Sequence, residues 1–542
     1  MKAIFNLENK KTNIIVTSVL LALAIVIGVV CGIQFYSFRN HQTWFDTSRV
    51  DHTYKFSEFS PNLAGTIGDS DIYQITGTAN TVAVVKADEK QNFANVASVL
   101  TAGSVVGVTG SNSLTVAQTT LGGAIISTVD SATTALDKVA SGEYKVAVVS
   151  FGDYKVYAGK NNLAVADAEI EAVPSILVMG GTHPNEPSGQ LGATVYLENA
   201  NVERGILYVI TEVNKSAYSH SQPQEATSWY YDIATANGTR TFQFGSRATN
   251  TVDQWPTPDV YTHSPIKQQL SASESRNINR AYPGSATGTY TEQLAYAVTN
   301  FINVKNVTMV VDLHEASPEY VTINACVAHD DAVNIQSLAF KFLMKETYEV
   351  EISTETSPQS MRGLTHRELG DYTNAYAFLC ETSNASQGKY RGAFTDDLIT
   401  YYSTCQNKSC TNYGNKVATD YGRTADYVST ACPVCGETAS GPDKFYEYAA
   451  SKTTAEDKLL YARPVSIDER VARHVFSIFN IIDAFNMNGC MTRDTLASTS
   501  VNELADSQKQ AGKYVGEFKI ANIPDYDAII ADGVGAYLSE QQ

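Results

Sequence analysis

The stretch Ile176-Leu-Val-Met-Gly-Gly-Thr-His-Pro-Asn-Glu-Pro-Ser-Gly189 passes from an unbroken apolar run into a turn that sets His183 three residues before Glu186. Four more apolar runs occur, at Tyr144 to Phe151, Gly205 to Ile210, Val307 to Leu313 and Ala375 to Cys380, with helix-like stretches such as Pro187 to Asn199 and Tyr290 to Asn303 between several of them. Runs that are apolar throughout belong to strands buried on both sides, so the pattern predicts an α/β fold: a mixed or mostly parallel central sheet with helices on both faces.

In such sheets the chemistry gathers at the carboxyl ends of strands. Three apolar runs end on reactive groups there: Ile176 to Met179 leads to His183 and Glu186, Val307 to Leu313 to His314, and Ala375 to Cys380 to Glu381. Two imidazoles and a carboxylate are the ligands of a catalytic zinc that keeps its fourth position for water. The His-x-x-Glu spacing is weak by itself; the placement of each group after a separate strand is what counts.

These residues lie in motifs that resemble those of the succinylglutamate desuccinylase/aspartoacylase family, within the carboxypeptidase A-like metallopeptidases. Gly180 to Gly189 is similar to that family's Gly-x-His-Gly-x-Glu motif, Arg276-Asn-Ile-Asn-Arg-Ala-Tyr-Pro-Gly284 to its Asp-Leu-Asn-Arg segment, Asp312-Leu-His to its Asp-Leu-His, and Phe378-Leu-Cys-Glu-Thr382 to its catalytic-glutamate strand. The resemblance implies a zinc carboxypeptidase-like fold. It implies one catalytic zinc on His183, Glu186 and His314, Glu381 as general base toward a zinc-activated water, and Asn279 and Arg280 gripping a substrate carboxylate. An oxyanion-stabilising arginine is also implied, with Arg247, Arg276, Arg362 and Arg367 all open. Two departures stand out: Pro184 replaces a glycine, and Asn277 replaces an aspartate. Asp312 either orients His314 or caps a loop.

The implied reaction is hydrolysis of an amide bond beside a free carboxylate, on a peptide or an N-acyl amino acid. The alternative is an inactive cell-surface binding protein on the same scaffold. The formal charge of −18, from 57 acidic and 39 basic residues, disfavours nucleic acid as a partner.

At the N-terminus, residues 12–34 carry no charge and suffice to span a bilayer, with Lys2, Lys10 and Lys11 ahead of them. This predicts a single-pass anchor with residues 1–11 cytoplasmic and the catalytic domain extracytoplasmic; a cleaved signal peptide is the competing reading. Residues 35–72 read as a spacer, 73–145 as a small α/β domain without assignable chemistry, 146–490 as the hydrolase domain and 491–542 as a tail. Tyr218 to Ser275 reads as loops over the site, and Asp468 to Asn486 as an amphipathic helix closing the domain.

Within the hydrolase domain, at about 400–440, Cys405-x4-Cys410 and Cys432-Pro-Val-Cys-Gly436 form a Cys-rich insertion. Its four cysteines are a set for a second, structural zinc, with disulfides as the alternative in an oxidising compartment. Cys326, Cys380 and Cys490 read as core residues, and His366 reads as a surface residue.

Overall fold

The protein is described by a computed structural model. It describes residues 18–19, 49–157, 162–221, 230–236, 238–317, 323–384, 399–405, 407–413, 416–418, 431–437, 446–448, 459–460, 465–489 and 517–539. The predicted anchor, apart from Ser18 and Val19, lies outside the described residues, as does Cys490. No helix among the described residues is long and apolar enough to cross a membrane.

The apolar runs assemble one eight-stranded mixed sheet. Its strands are β1 (His52–Lys55), β2 (Asp71–Thr76), β3 (Ser175–Met179), β4 (Ile206–Ile210), β5 (Met309–Ala316), β6 (Ala325–Ala328), β7 (Ser353–Thr356) and β8 (Tyr376–Ser383), in the order β1-β2-β4-β3-β5-β8-β6-β7. The four central strands β4, β3, β5 and β8 run parallel, whereas β2 and β6 flank them antiparallel.

Side chains alternate across β3. Ile176 and Val178 face a core shared with helices α1 (Pro187–Asn199) and α4 (Ile467–Gly489). Leu177 and Met179 face a second core with α2 (Tyr290–Lys305) and Leu369 of α3 (Thr365–Tyr372). Both faces are covered, which is why these strands lack polar alternation. Helix α4 presents Val471, Val475, Phe476, Ile478, Ile482 and Phe485 to the first core, as its pattern predicts.

Several boundaries differ from the sequence expectation. The run at Val146–Ser150 is the middle strand of a separate five-stranded sheet, ordered Ile126–Val129, Val105–Val108, Val146–Ser150, Thr81–Lys86, Leu163–Val165. The small α/β unit therefore extends to residue 165. The supposed spacer is partly structural: β1 and β2 extend the large sheet, and Phe56, Phe59, Leu63 and Ile72 enter its core. The tail also returns. Lys519–Ala521 pairs with Asn201–Arg204, and Phe518, Ile529, Val534 and Leu538 pack into the first core. The stretch from 218 to 275 holds two hairpins, Tyr230–Thr235 with Gly238–Gln243 and Val260–Thr262 with Gln269–Ser271.

Candidate metal centre

The chain leaves β3 through Gly181, whose φ of +70° and 2.8 Å approach of an added Cβ to Thr211 O require glycine. A turn follows in which the Glu186 amide donates to the His183 carbonyl at 3.0 Å. Pro184 occupies the second position of this turn, where a fixed φ is an advantage. The proline that replaces glycine therefore helps build the turn that carries both side chains. Pro187 then opens α1 directly after Glu186. Gly189 lets this helix lie against β5, since a Cβ there would stand 2.4 Å from Leu313 O.

His314 was expected beyond the end of its strand, and Glu381 likewise. Both strands run on: β5 to Ala316 and β8 to Ser383, with His314 and Glu381 as direct partners in the parallel register. Ligand atoms of His183, Glu186 and His314 lie within 4.8 Å of one another, and all three side chains are buried. His183 Nδ1 is 2.9 Å from Glu186 Oε1, and His314 Nδ1 is 2.9 Å from Glu186 Oε2.

The outer ring nitrogens fix the tautomers. His314 Nε2 stands 2.7 Å from Asp312 Oδ2, which can only accept from it. Asp312 in turn accepts from Thr182 and Thr365, so it orients the imidazole rather than capping a loop. His183 Nε2 stands 2.9 Å from Asn277 Oδ1; that oxygen also accepts from the Asn279 amide, while Asn277 Nδ2 donates to Glu274. Each imidazole thus gives its Nε2 proton outward and turns Nδ1 toward the same carboxylate. Three groups that can each offer an electron pair, His183 Nδ1, the Glu186 carboxylate and His314 Nδ1, converge on one point, a set whose chemistry fits a bound cation.

The titration of the set reflects this convergence. Burial, reinforced by the Arg247 guanidinium, pulls His183 down to about 4. Burial also opposes charge on His314, but Asp312 and Glu186 outweigh it and push that imidazole to about 10. Burial works against the Glu186 anion, yet the two imidazoles hold it well below the usual carboxylate range. For Glu381, burial dominates and raises the carboxyl, with His314 pulling the other way and Glu186 adding to the rise.

Among the four candidate arginines, Arg247 faces the centre, its Nη1 3.2 Å from Glu186 Oε1. Arg276 is buried against Thr249 O, and Arg362 and Arg367 both pair with Asp371. Arg280 and Arg247 both act electrostatically on Glu381. Asn279 is buried with its Oδ1 accepting from the Thr365 amide. Two residues had no clear signal in the sequence. His366 is buried, not a surface residue, and bonds Ser357 Oγ at 2.7 Å. Arg470, from α4, places Nε 2.6 Å from buried Glu315 beside His314. The four cysteines of the insertion come together as a second group, while Cys326 and Cys380 are core residues.

No family model matches the chain, and no curated protein matches it. Among solved structures it is similar to a succinylglutamate desuccinylase from Silicibacter, at 13% identity over 54% of this chain and 78% of that one, with a TM-score of 0.25. It is similar also to an aspartoacylase family protein from Mesorhizobium loti, at 14% identity over 54% of this chain and 78% of that one, with a TM-score of 0.24. A smaller part is similar to an amino acid ABC transporter substrate-binding protein from Streptococcus pneumoniae, at 22% identity over 17% of this chain, with a TM-score of 0.16. The chain spans 39% of the length of that last protein.

Proposed function

We propose that this protein is a zinc-dependent hydrolase that cleaves an amide bond next to a free carboxylate, in a peptide or an N-acyl amino acid. The observation that carries the reading is the convergence of His183 Nδ1, Glu186 and His314 Nδ1, with both Nε2 protons committed outward. This donor set fits zinc, which would polarise a scissile carbonyl and make water more acidic.

The chain's own groups complete the chemistry. Glu381, across from His314 in the register, accepts the proton of the attacking water and returns it to the leaving nitrogen. Its burial suits the first step, because a carboxyl raised by desolvation takes up a proton more readily than an exposed one. Arg247 stabilises negative charge developing on the carbonyl oxygen. Arg280, with the Asn279 amide, holds the substrate carboxylate, a planar fork meeting two coplanar oxygens. We place the enzyme at a membrane, anchored by residues 12–34 with its catalytic domain outside the cytoplasm; the uncharged, aliphatic character of that segment supports this.

The test is hydrolysis of a panel of peptides and N-acyl amino acids by the purified full chain, with and without a chelator. Turnover that the chelator abolishes and zinc restores is expected, and His314→Ala should lack it. No chelator-sensitive turnover on any member would overturn the proposal in favour of the binding protein.

A further inference from the structure

The insertion between β8 and α4 contains a small four-stranded sheet, ordered Lys416–Ala418, Ile399–Thr404, Tyr446–Tyr448, Leu459–Leu460. Among its described residues the buried cluster consists of sulfur: Cys405 and Cys432, with Cys410 and Cys435 packed against them. A unit this small, whose described residues bury no core larger than these sulfurs, needs a covalent or metal staple.

The sulfur geometry selects between the two. Cys405 Sγ lies 3.8 Å from Cys435 Sγ, and Cys410 Sγ 4.0 Å from Cys432 Sγ. A disulfide needs about 2.0 Å. Four sulfurs arranged tetrahedrally at about 2.3 Å from one zinc stand about 3.8 Å apart. All four thiols are free and their sulfurs lie within 4.8 Å of one another, so they form a single group rather than two separate pairs.

The backbone is shaped to match. Strand Ile399–Thr404 feeds straight into Cys405, which bridges to Tyr413. The turn after Cys410 directs the Asn412 amide at Cys410 Sγ, 3.3 Å away, and Asn412 Nδ2 reaches Cys432 Sγ at 3.5 Å. At the other knuckle the Cys432 amide donates to Glu437 O and the Gly436 amide to Cys432 O, both at 2.8 Å, with Gly436 at φ +72°. Amide donors aimed at sulfur stabilise thiolates, the form that binds metal.

We infer that Cys405, Cys410, Cys432 and Cys435 hold one zinc ion in a closed, four-thiolate structural site. It shares no residue with the His183 set, so it stands or falls independently of the hydrolase reading. A closed set leaves no position for water, and the ion's role is to hold the insertion folded.

The test is a titration of the purified full chain with a thiol reagent in denaturant and chelator, followed by zinc release from the native chain with a mercurial. The chain has eight cysteines; eight reactive thiols are expected, and one zinc released in step with their modification. That ion should persist in His183→Ala and be absent from Cys432→Ser. Should Cys432→Ser not fold, cobalt exchange into the unmutated chain decides, because thiolate ligation gives an intense near-ultraviolet charge-transfer band. Only four reactive thiols, zinc unchanged in a folded Cys432→Ser, or cobalt without that band would each overturn the site.

Discussion

Asn277 and Glu274 share a hydrogen bond of 2.8 Å, Nδ2 donating to the carboxylate, while the Asn277 carbonyl holds His183 Nε2. This contact explains why an amide stands where the resembling motif carries aspartate. A second carboxylate at 277 would face Glu274 at hydrogen-bond distance, and two such groups cannot both ionise there. The expected outcome is that Asn277→Asp alone changes zinc affinity little at neutral pH. Combined with Glu274→Gln, it should tighten zinc by about 10-fold, since an anionic partner makes His183 a better donor. Competition with a chromogenic chelator measures both. Equal tightening in the single and double variants would contradict this account.

In the proposed mechanism the parallel register between β5 and β8 separates ligation from proton transfer. His314 and Glu381 face one another across the strands, yet only His314 belongs to the converging donor set. Glu381→Gln keeps the shape and removes the base, so zinc content and KM should hold while kcat falls by about 10²- to 10⁴-fold. Loss of zinc from this variant would place Glu381 among the ligands instead.

Much of this site was legible because its parts are local. The turn from His183 to Glu186 closes within four residues, and the apolar runs β3, β4, β5 and β8 are buried on both faces, which erases alternation and leaves a plain signal. What escaped depends on partners distant in the chain. The segment Asp71–Thr76 reads as unremarkable because its order comes from pairing with Ile206–Ile210 and His52–Lys55. Val146–Ser150 is as apolar as β3, and only topology assigns it to a different sheet. His366 looked like a surface residue because burial comes from tertiary packing, not from its polar neighbours Thr365, Arg367 and Glu368.

The arginines should divide by their surroundings. Arg247→Met is expected to lower kcat by about 10²- to 10³-fold, as for loss of a donor to a developing oxyanion. Arg280→Met should act mainly on KM for substrates with a free carboxylate, and little on their amidated counterparts. Arg367 is different: it is buried between Asp371 and Asp330, at 2.8 and 3.4 Å. Replacing it with Met removes one partner from acids that keep solvent or other partners, Asp330 being 48% exposed and Asp371 still paired with Arg362 and His329, so the expected cost is about 1 kcal/mol in stability. Steady-state kinetics and urea unfolding of the three variants give the pattern; a purely catalytic defect in Arg367→Met would refute it.

Asp371 gives the same cluster a pH signature. Burial alone would raise its carboxyl, but hydrogen bonds from Arg367, His329 and Arg362 outweigh that and bring it to about 2, from an ordinary 3.8. A group whose folded value is depressed stabilises the fold above its unfolded pKa, and that contribution fades as pH falls through the folded one. The full effect should therefore be present at neutral pH and vanish between about pH 4 and pH 2. Because the side chain is 29% exposed, solvent screening limits the effect to about 1 kcal/mol. Asp371→Asn should lower the urea midpoint at pH 7 and converge with the unmutated chain as pH approaches 2. A difference that stays constant across that range would mean the loss is one of packing or hydrogen bonding rather than charge.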